Sequence, residues 1–227
     1  IVEVLEYDDV QLQQRVNFLT ASRKEVDTSS YLARDIKLSL PVVAAPMKTV
    51  VNAEVGIEFA LSGTVAVTHR FQPYEDQALQ IKRISEYGPA VGSVGAKTAV
   101  LTDTEMLVEA GAKGIVVDVA HGGLHSVLMT VRLLADSFPD IAIIGGNVMS
   151  AETAKAMEDY GAAALRVGIG PGAVCTTRMK TGIGGGQITA IDDCANAVSI
   201  PVIADGGIKH YGDIAKALAA GASSVMI

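Results

Sequence analysis

The chain is short of the residues that staple, stack or span. It has no tryptophan, aromatics are 4% of its 227 residues, and cysteine occurs only at Cys175 and Cys194. Two cysteines make no disulfide framework and point to a reducing compartment. No apolar run reaches the length of a membrane span, and no signal peptide is visible. The expectation is a cytoplasmic protein with no membrane partner. A net charge of −7 without any Lys/Arg run argues against a nucleic-acid partner. Local basic residues could still hold a phosphate. No Ser/Pro-rich linker or low-complexity stretch divides the chain.

What is present is aliphatic and small. Hydrophobic residues make up 49% and there are 23 glycines, a composition that suits a parallel sheet buried under helices. The length fits one large domain. Apolar runs follow Pro41, Pro89, Pro139 and Pro201, at residues 41–45, 90–94, 141–144 and 202–204. A second series follows Gly63, Gly111, Gly161 and Gly221, at residues 64–67, 114–117, 164–167 and 224–227. Helical patterns such as 104–110, 151–160 and 212–220 end at a Gly-Ala step, where glycine caps the helix. The unit is strand, loop, helix, Gly-Ala, strand, loop, helix, and it occurs four times. Alternating strands and helices imply βαβ crossovers and a parallel sheet. Eight such units close most naturally as a (β/α)8 TIM barrel, an α/β fold. A doubly wound open sheet is the competitor, but it predicts no four-fold repeat.

The run Gly168-Ile169-Gly170-Pro171-Gly172-Ala173-Val174-Cys175-Thr176-Thr177 leaves the carboxyl end of the strand at 164–167. Glycines clear the space around a thiol and let backbone N–H groups approach an anion, or carbonyls face a cation. A thiol presented there is placed for nucleophilic attack. A buried small hydrophobe is the plainer reading of Cys175. Thr176, Thr177 and Arg178 are poor core neighbours, and a reactive thiolate needs an accessible, electropositive setting. Cys194, in the helical stretch 192–198, needs no role beyond packing.

Barrel chemistry sits on the loops that follow the strands. Those loops carry Pro46-Met47-Lys48-Thr49, His69-Arg70, Asp118-Val119-Ala120-His121-Gly122-Gly123, Gly145-Gly146-Asn147 and Asp205-Gly206-Gly207. Each has an ordinary reading: Met47 as core, His69 as a satisfied buried histidine, Asp118 and Asp205 as helix N-caps, Gly206-Gly207 as a tight turn. Their concentration on one rim favours a site. His69, Asp118, His121 and Asp205 have no spacing typical of a divalent metal site. A monovalent cation on loop carbonyls suits the alternating glycines better. The Asp205-Gly206-Gly207 loop follows strand seven, where such barrels often hold a phosphate on glycine N–H groups.

These motifs together resemble the IMP dehydrogenase/GMP reductase family along nearly the whole chain. The matching residues are Tyr7-Asp8-Asp9-Val10 with Glu25-Val26-Asp27-Thr28, Ala44-Ala45-Pro46-Met47-Lys48-Thr49-Val50, Asp118-Val119-Ala120-His121-Gly122, Gly145-Gly146-Asn147-Val148, the cysteine loop through Arg178, and Ala204-Asp205-Gly206-Gly207-Ile208. The resemblance implies a purine nucleotide oxidoreductase acting on GMP or IMP, usually as a homotetramer. Cys175 would attack purine C2, and Thr177 would assist proton transfer there. Met47, Asn147, Arg166, Gly172 and Ala173 would line the nucleotide pocket. Asp205, Gly206 and Gly207 would hold ribose and phosphate. Asp118, Ala120, His121 and Gly122 would face the nicotinamide cofactor. Carbonyls of Gly170, Gly172 and Cys175 match the family's potassium positions.

The family runs two reactions. Dehydrogenases oxidise IMP to XMP with NAD and usually carry a CBS pair after the second strand unit. Here residues 75–87 run directly to the third strand, so no CBS domain is expected. Dehydrogenases usually have Ser at Ala173, and Arg178-Met179-Lys180-Thr181-Gly182 looks more like the reductase, which turns GMP into IMP with NADPH. The stretches 187–191 and 200–208 look dehydrogenase-like. The reading is a reductase, with the dehydrogenase as the alternative. Ala173 removes a hydroxyl that would bond phosphate, and Lys48 stands where Asp or Gln is usual. A silent nucleotide-binding barrel is therefore a third reading, against which Cys175-Thr176-Thr177 stands intact. The expected architecture is one barrel domain over 1–227, without its final helix and the dehydrogenase flap.

Overall fold

A computed structural model describes residues 3–16, 22–173 and 175–227. After a turn at Tyr7–Asp9, a short antiparallel hairpin forms from β1 (Ser30–Ala33) and β2 (Ile36–Leu38). Eight parallel strands follow: β3 (Val42–Ala44), β4 (Val65–Ala66), β5 (Ala90–Val94), β6 (Ala112–Val117), β7 (Ala142–Val148), β8 (Ala164–Val167), β9 (Val202–Asp205) and β10 (Ser224–Met226). They pair in the order β4-β3-β10-β9-β8-β7-β6-β5. A parallel bridge between Val67 and Val91, with Thr68 N–H donating to the Val91 carbonyl at 3.0 Å, joins the two outer strands. The result is the expected (β/α)8 barrel. Helices between the strands are α1 (Ala53–Leu61), α2 (Tyr74–Ser85), α3 (Val100–Glu109), α4 (His125–Ser137), α5 (Ala151–Asp159), α6 (Thr177–Thr181), α7 (Gln187–Ala197) and α8 (Tyr211–Ala219). Among the described residues none is long and apolar enough to cross a membrane.

The strands are apolar on both faces because both are covered. Val43, Val65, Val91, Val116, Ile144 and Ile203 fill the barrel interior. Ile115, Ile143, Leu165, Val202 and Val225 point outward into the cluster that the helices complete. Alternation along a strand sorts neighbours such as Ile143 and Ile144 to opposite sides. Each such side chain contributes about 1.5–3 kcal/mol on full burial. The four glycines of the repeat, Gly63, Gly111, Gly161 and Gly221, lie just past helices with φ of +71°, +106°, +96° and +107°. Only glycine adopts that region freely, so it ends each helix and turns the chain into the next strand.

The hairpin was not anticipated. Leu32, Ala33, Ile36 and Leu38 are buried and join the interior cluster of the barrel. Ser30 Oγ donates to the Ser223 carbonyl at 2.6 Å, and Arg34 Nη1 donates to the Pro139 carbonyl. Both acceptors lie just before strands, so the hairpin seals the amino-terminal end of the barrel. Ser85 ends α2 and Ala90 opens β5, so residues 86–89 alone join them.

Candidate active site

At the carboxyl ends of the strands lies a cavity of about 420 Å3. Its walls come from the loops after six strands. They include Met47 after β3, Arg70 and Phe71 after β4, Asp118 and Ala120 after β6, Asn147 from β7, Arg166 and the cysteine loop from β8, and Asp205 and Gly206 from β9. The volume falls within the range of small-molecule sites, about 300–1,000 Å3.

A chain of alternating charge crosses the cavity floor. Arg166 is 6% exposed. Its Nη1 bonds Asp118 Oδ1 at 2.8 Å and its Nη2 bonds Asp205 Oδ2 at 2.8 Å. Arg70 Nε reaches Asp118 from the other side, 3.0 Å from its carbonyl and 3.2 Å from Oδ2. Burial works against the Arg166 cation, but the Asp205 and Asp118 carboxylates outweigh it and hold its pKa above the ordinary value. Neither aspartate caps a helix. Both are placed by the guanidinium between them. Asn147 Nδ2 donates to Asp205 Oδ2 at 2.6 Å and to the Gly168 carbonyl at 2.8 Å. That reach depends on Gly146, where a Cβ would lie 2.6 Å from the Arg166 carbonyl. With both bonds to Asp205 on Oδ2, its Oδ1 takes neither of them.

Cys175 is exposed on its loop and borders the cavity with Thr177. Its Sγ lies 3.3 Å from Thr177 Oγ1, and its N–H donates to the Gly172 carbonyl at 3.0 Å. The loop's Val174 lies outside the described residues. Cys194 is the opposite case. It is a buried residue of α7, where desolvation first and Asp193 second push its thiol up to about 12.

The structure brings together most of the residues singled out from the sequence. Met47, Asp118, Ala120, Asn147, Arg166, Gly170, Gly172, Cys175, Thr177, Asp205 and Gly206 all line the cavity. Four lie off it. Ala173 is exposed on the loop, and Gly207 packs against the Tyr7 ring and Pro171. His121 turns its Nδ1 to the Gly123 N–H at 3.3 Å, and the Gly122 N–H donates to the Asn147 carbonyl at 2.8 Å. His69 is buried beside the cavity. Burial first and Lys48 second hold its pKa below the ordinary value. Among the described residues no group of three His, Cys, Asp or Glu side chains could hold a metal ion.

Two residues carry more than the sequence suggested. Arg70 stood in the rim list without a role, yet its guanidinium reaches Asp118 and lies 4.4 Å from the Phe71 ring centroid. Glu6 had no signal at all. It meets Arg178, 172 residues away, and only the closed barrel makes them neighbours.

Residues 4–227 match the family described as IMP dehydrogenase / GMP reductase domain. Proteins named GMP reductase from Streptococcus pyogenes serotype M49 (strain NZ131) and serotype M1 are each 38% identical over 229 residues. The match takes in all of this chain and 69% of each relative. The counterpart from serotype M28 (strain MGAS6180) aligns with the same identity and coverage. With a cysteine loop, an Asp-Arg-Asp floor and a (β/α)8 barrel beneath that match, the chain belongs to the IMP dehydrogenase / GMP reductase family.

Proposed function

We propose that this purine nucleotide oxidoreductase is a GMP reductase, converting GMP and NADPH to IMP, NADP+ and ammonia through a covalent adduct on Cys175. The observation that carries the reading is one cavity in which an exposed thiol, a neighbouring hydroxyl and an Asp-Arg-Asp floor converge. The Cys175 sulfur, as thiolate, adds to C2 of the purine, and the bond from C2 to the exocyclic nitrogen breaks. Thr177 Oγ1, 3.3 Å from the Cys175 sulfur, is the proposed source of a proton for the departing nitrogen. Once hydride has been delivered to C2, the sulfur leaves with the electron pair of the C–S bond. Asp205 has Oδ1 open to accept from ribose hydroxyls. The Gly206 N–H is already donated to the Met226 carbonyl at 3.3 Å, so the Gly207 N–H is the one proposed to meet a phosphate.

The nicotinamide cofactor, when bound, supplies hydride to C2. Asp118 and Ala120 are the cavity residues proposed to face it, with His121 and Gly122 behind them. The buried Arg166 Nε has no partner among the described residues. Carbonyls of Gly170, Gly172 and Cys175 are the proposed potassium ligands. The Gly172 carbonyl already accepts the Cys175 N–H at 3.0 Å, so a cation would use its second lone pair. The same proposal includes a homotetramer, which sedimentation of the full-length protein tests.

The reductase is chosen over the dehydrogenase on the direct α2-to-β5 connection, on Arg178 through Gly182, and on relatives named GMP reductase. The assay follows NADPH absorbance and ammonia release with GMP, and separately NADH formation with IMP and NAD. Ammonia released in step with NADPH loss is the expected result. XMP from IMP with no ammonia from GMP would reverse the choice. Nucleotide binding without either turnover would leave a silent binder.

A further inference from the structure

We propose that Glu6, on the amino-terminal arm, is a positioning residue for Cys175, acting through Arg178. The proposal rests on the reading of Cys175 as nucleophile. Arg178 lies three residues after Cys175, in α6. Its Nε donates to the Ile169 carbonyl at 3.0 Å, and its Nη2 donates to the Gly185 carbonyl. Ile169 opens the cysteine loop and Gly185 closes the segment that follows α6. One guanidinium therefore ties both ends of the stretch 169–185 to its middle. Its stem passes between Gly170 and Gly184, and a Cβ at either position would overlap Arg178 Cγ. The slot admits that stem and little else.

Glu6 fixes the guanidinium from outside. Its Oε1 accepts from Arg178 Nη1 at 2.7 Å, and its Oε2 accepts from the Gln187 N–H at 2.9 Å, the first residue of α7. A carboxylate there satisfies an open helix-terminal N–H and is favoured by the helix dipole. The arm itself is seated firmly. Leu5 N–H donates to Thr189 Oγ1 at 2.8 Å, and its carbonyl accepts the Ile188 N–H at 3.0 Å. Lys216 Nζ donates to the Tyr7 carbonyl at 2.8 Å, and the Tyr7 ring lies against Gly207. The carboxylate thus stands on a fixed base between α7 and the cysteine loop.

The clamp matters because α6 buries none of its residues. Met179 is 80% exposed, and among the described residues no apolar anchor holds the helix that carries Thr177. Polar bonds from Arg178 are what orient it. The pair is about one-third exposed on each side, so its contribution to global stability is small. Its effect is on geometry, where small displacements cost rate steeply.

The test uses full-length Glu6→Gln, Arg178→Lys and the double variant. Three quantities are read: kcat and KM for GMP with NADPH, the rate of Cys175 alkylation by iodoacetamide, and Tm. Glu6→Gln keeps size and the bond to Gln187 but loses the charge. Its kcat should fall roughly 10-fold and Arg178→Lys on the order of 100-fold, with KM nearly constant, as expected of a displaced reacting group. The alkylation rate should change in both, and Tm should stay close to the parent. The double variant should be no slower than Arg178→Lys alone, because both act through one pair. Unchanged kcat and alkylation in Glu6→Gln would overturn the proposal. So would a loss of activity that merely tracks a fall in Tm. A Cys175→Ala control separates the two ideas. Retained turnover there removes the nucleophile reading, while the alkylation rate in Glu6→Gln still reports whether the arm orients the loop.

Discussion

The two ends of the barrel are built from the same strands and are chemically opposite. In β6, Val116 and Val117 are followed by Asp118. In β8, Leu165 is followed by Arg166, and in β9, Ala204 is followed by Asp205. At the other end, Leu32, Ile36 and Leu38 of the hairpin seal an interior of valine and isoleucine. The lower end holds itself together by removing apolar surface from water. The upper end holds by mutual satisfaction of buried charge, where each group depends on its neighbour. Stability and chemistry are thus separated along the strand direction. Variants at the bottom should change unfolding and spare the site, and those at the rim should do the reverse unless they break the floor.

The largest effect is expected at Cys175. Its replacement by Ala should lower kcat by about 10⁴-fold or more, the scale of removing a covalent nucleophile. Tm should not move, because the side chain is exposed. Steady-state turnover and calorimetry on the same sample check both halves. Next is Arg166→Met, which breaks the division between the ends. It leaves the partly buried Asp118 and Asp205 carboxylates, 17% and 16% exposed, without their common partner, so stability should drop by about 1–3 kcal/mol. Nucleotide affinity should fall with it. Urea titration with and without GMP measures the two losses. Leu38→Ala, at the sealed end, should cost about 2–5 kcal/mol of stability from the cavity it opens. KM for GMP at a temperature where the variant is folded should equal that of the parent. A shifted KM would mean the ends are coupled.

The smallest effect near neutral pH is expected at Cys194. Burial pushes its thiol up to about 12 from an ordinary 9.0, so the native fold favours the neutral form. Its contribution is fully present below pH 9 and is lost as pH rises through 12, because the unfolded chain ionises first. Unfolding at stepped alkaline pH, with Cys194→Ala as reference, should show the parent losing more stability over that window. At neutral pH an electrophile should label Cys175 and leave Cys194 intact until the protein unfolds.

The barrel was legible because its signals are local. The runs at 90–94 and 164–167 coincide with β5 and β8, and the run at 141–144 is the core of a β7 that continues to Val148. Proline before one strand series and glycine before the other marked the boundaries. The hairpin was not legible, because its Arg34-Asp35 turn holds neither glycine nor asparagine. Arg34 takes φ +46° where glycine or asparagine is expected. The rim was legible as a set, since charged residues cluster where strands end. The partners were not. Asp118 and Asp205 read equally well as caps until the Arg166 guanidinium was seen between them. Ala173, His121, Gly122 and Gly207, whose roles came from the resemblance, do not line the cavity. The Glu6–Arg178 contact depends on the docking of a distant arm, which periodicity does not report.

The plug has a consequence for traffic. Among the described residues, side chains from Val43 to Met226 fill the barrel and Leu32 and Leu38 close it beneath. Whatever reaches the cavity floor must enter and leave through one mouth. Two molecules sharing such a well are queued, and the deeper one departs only after the shallower one has gone. Order of release would then be set by depth rather than by relative affinity, and product-inhibition patterns would read that order directly.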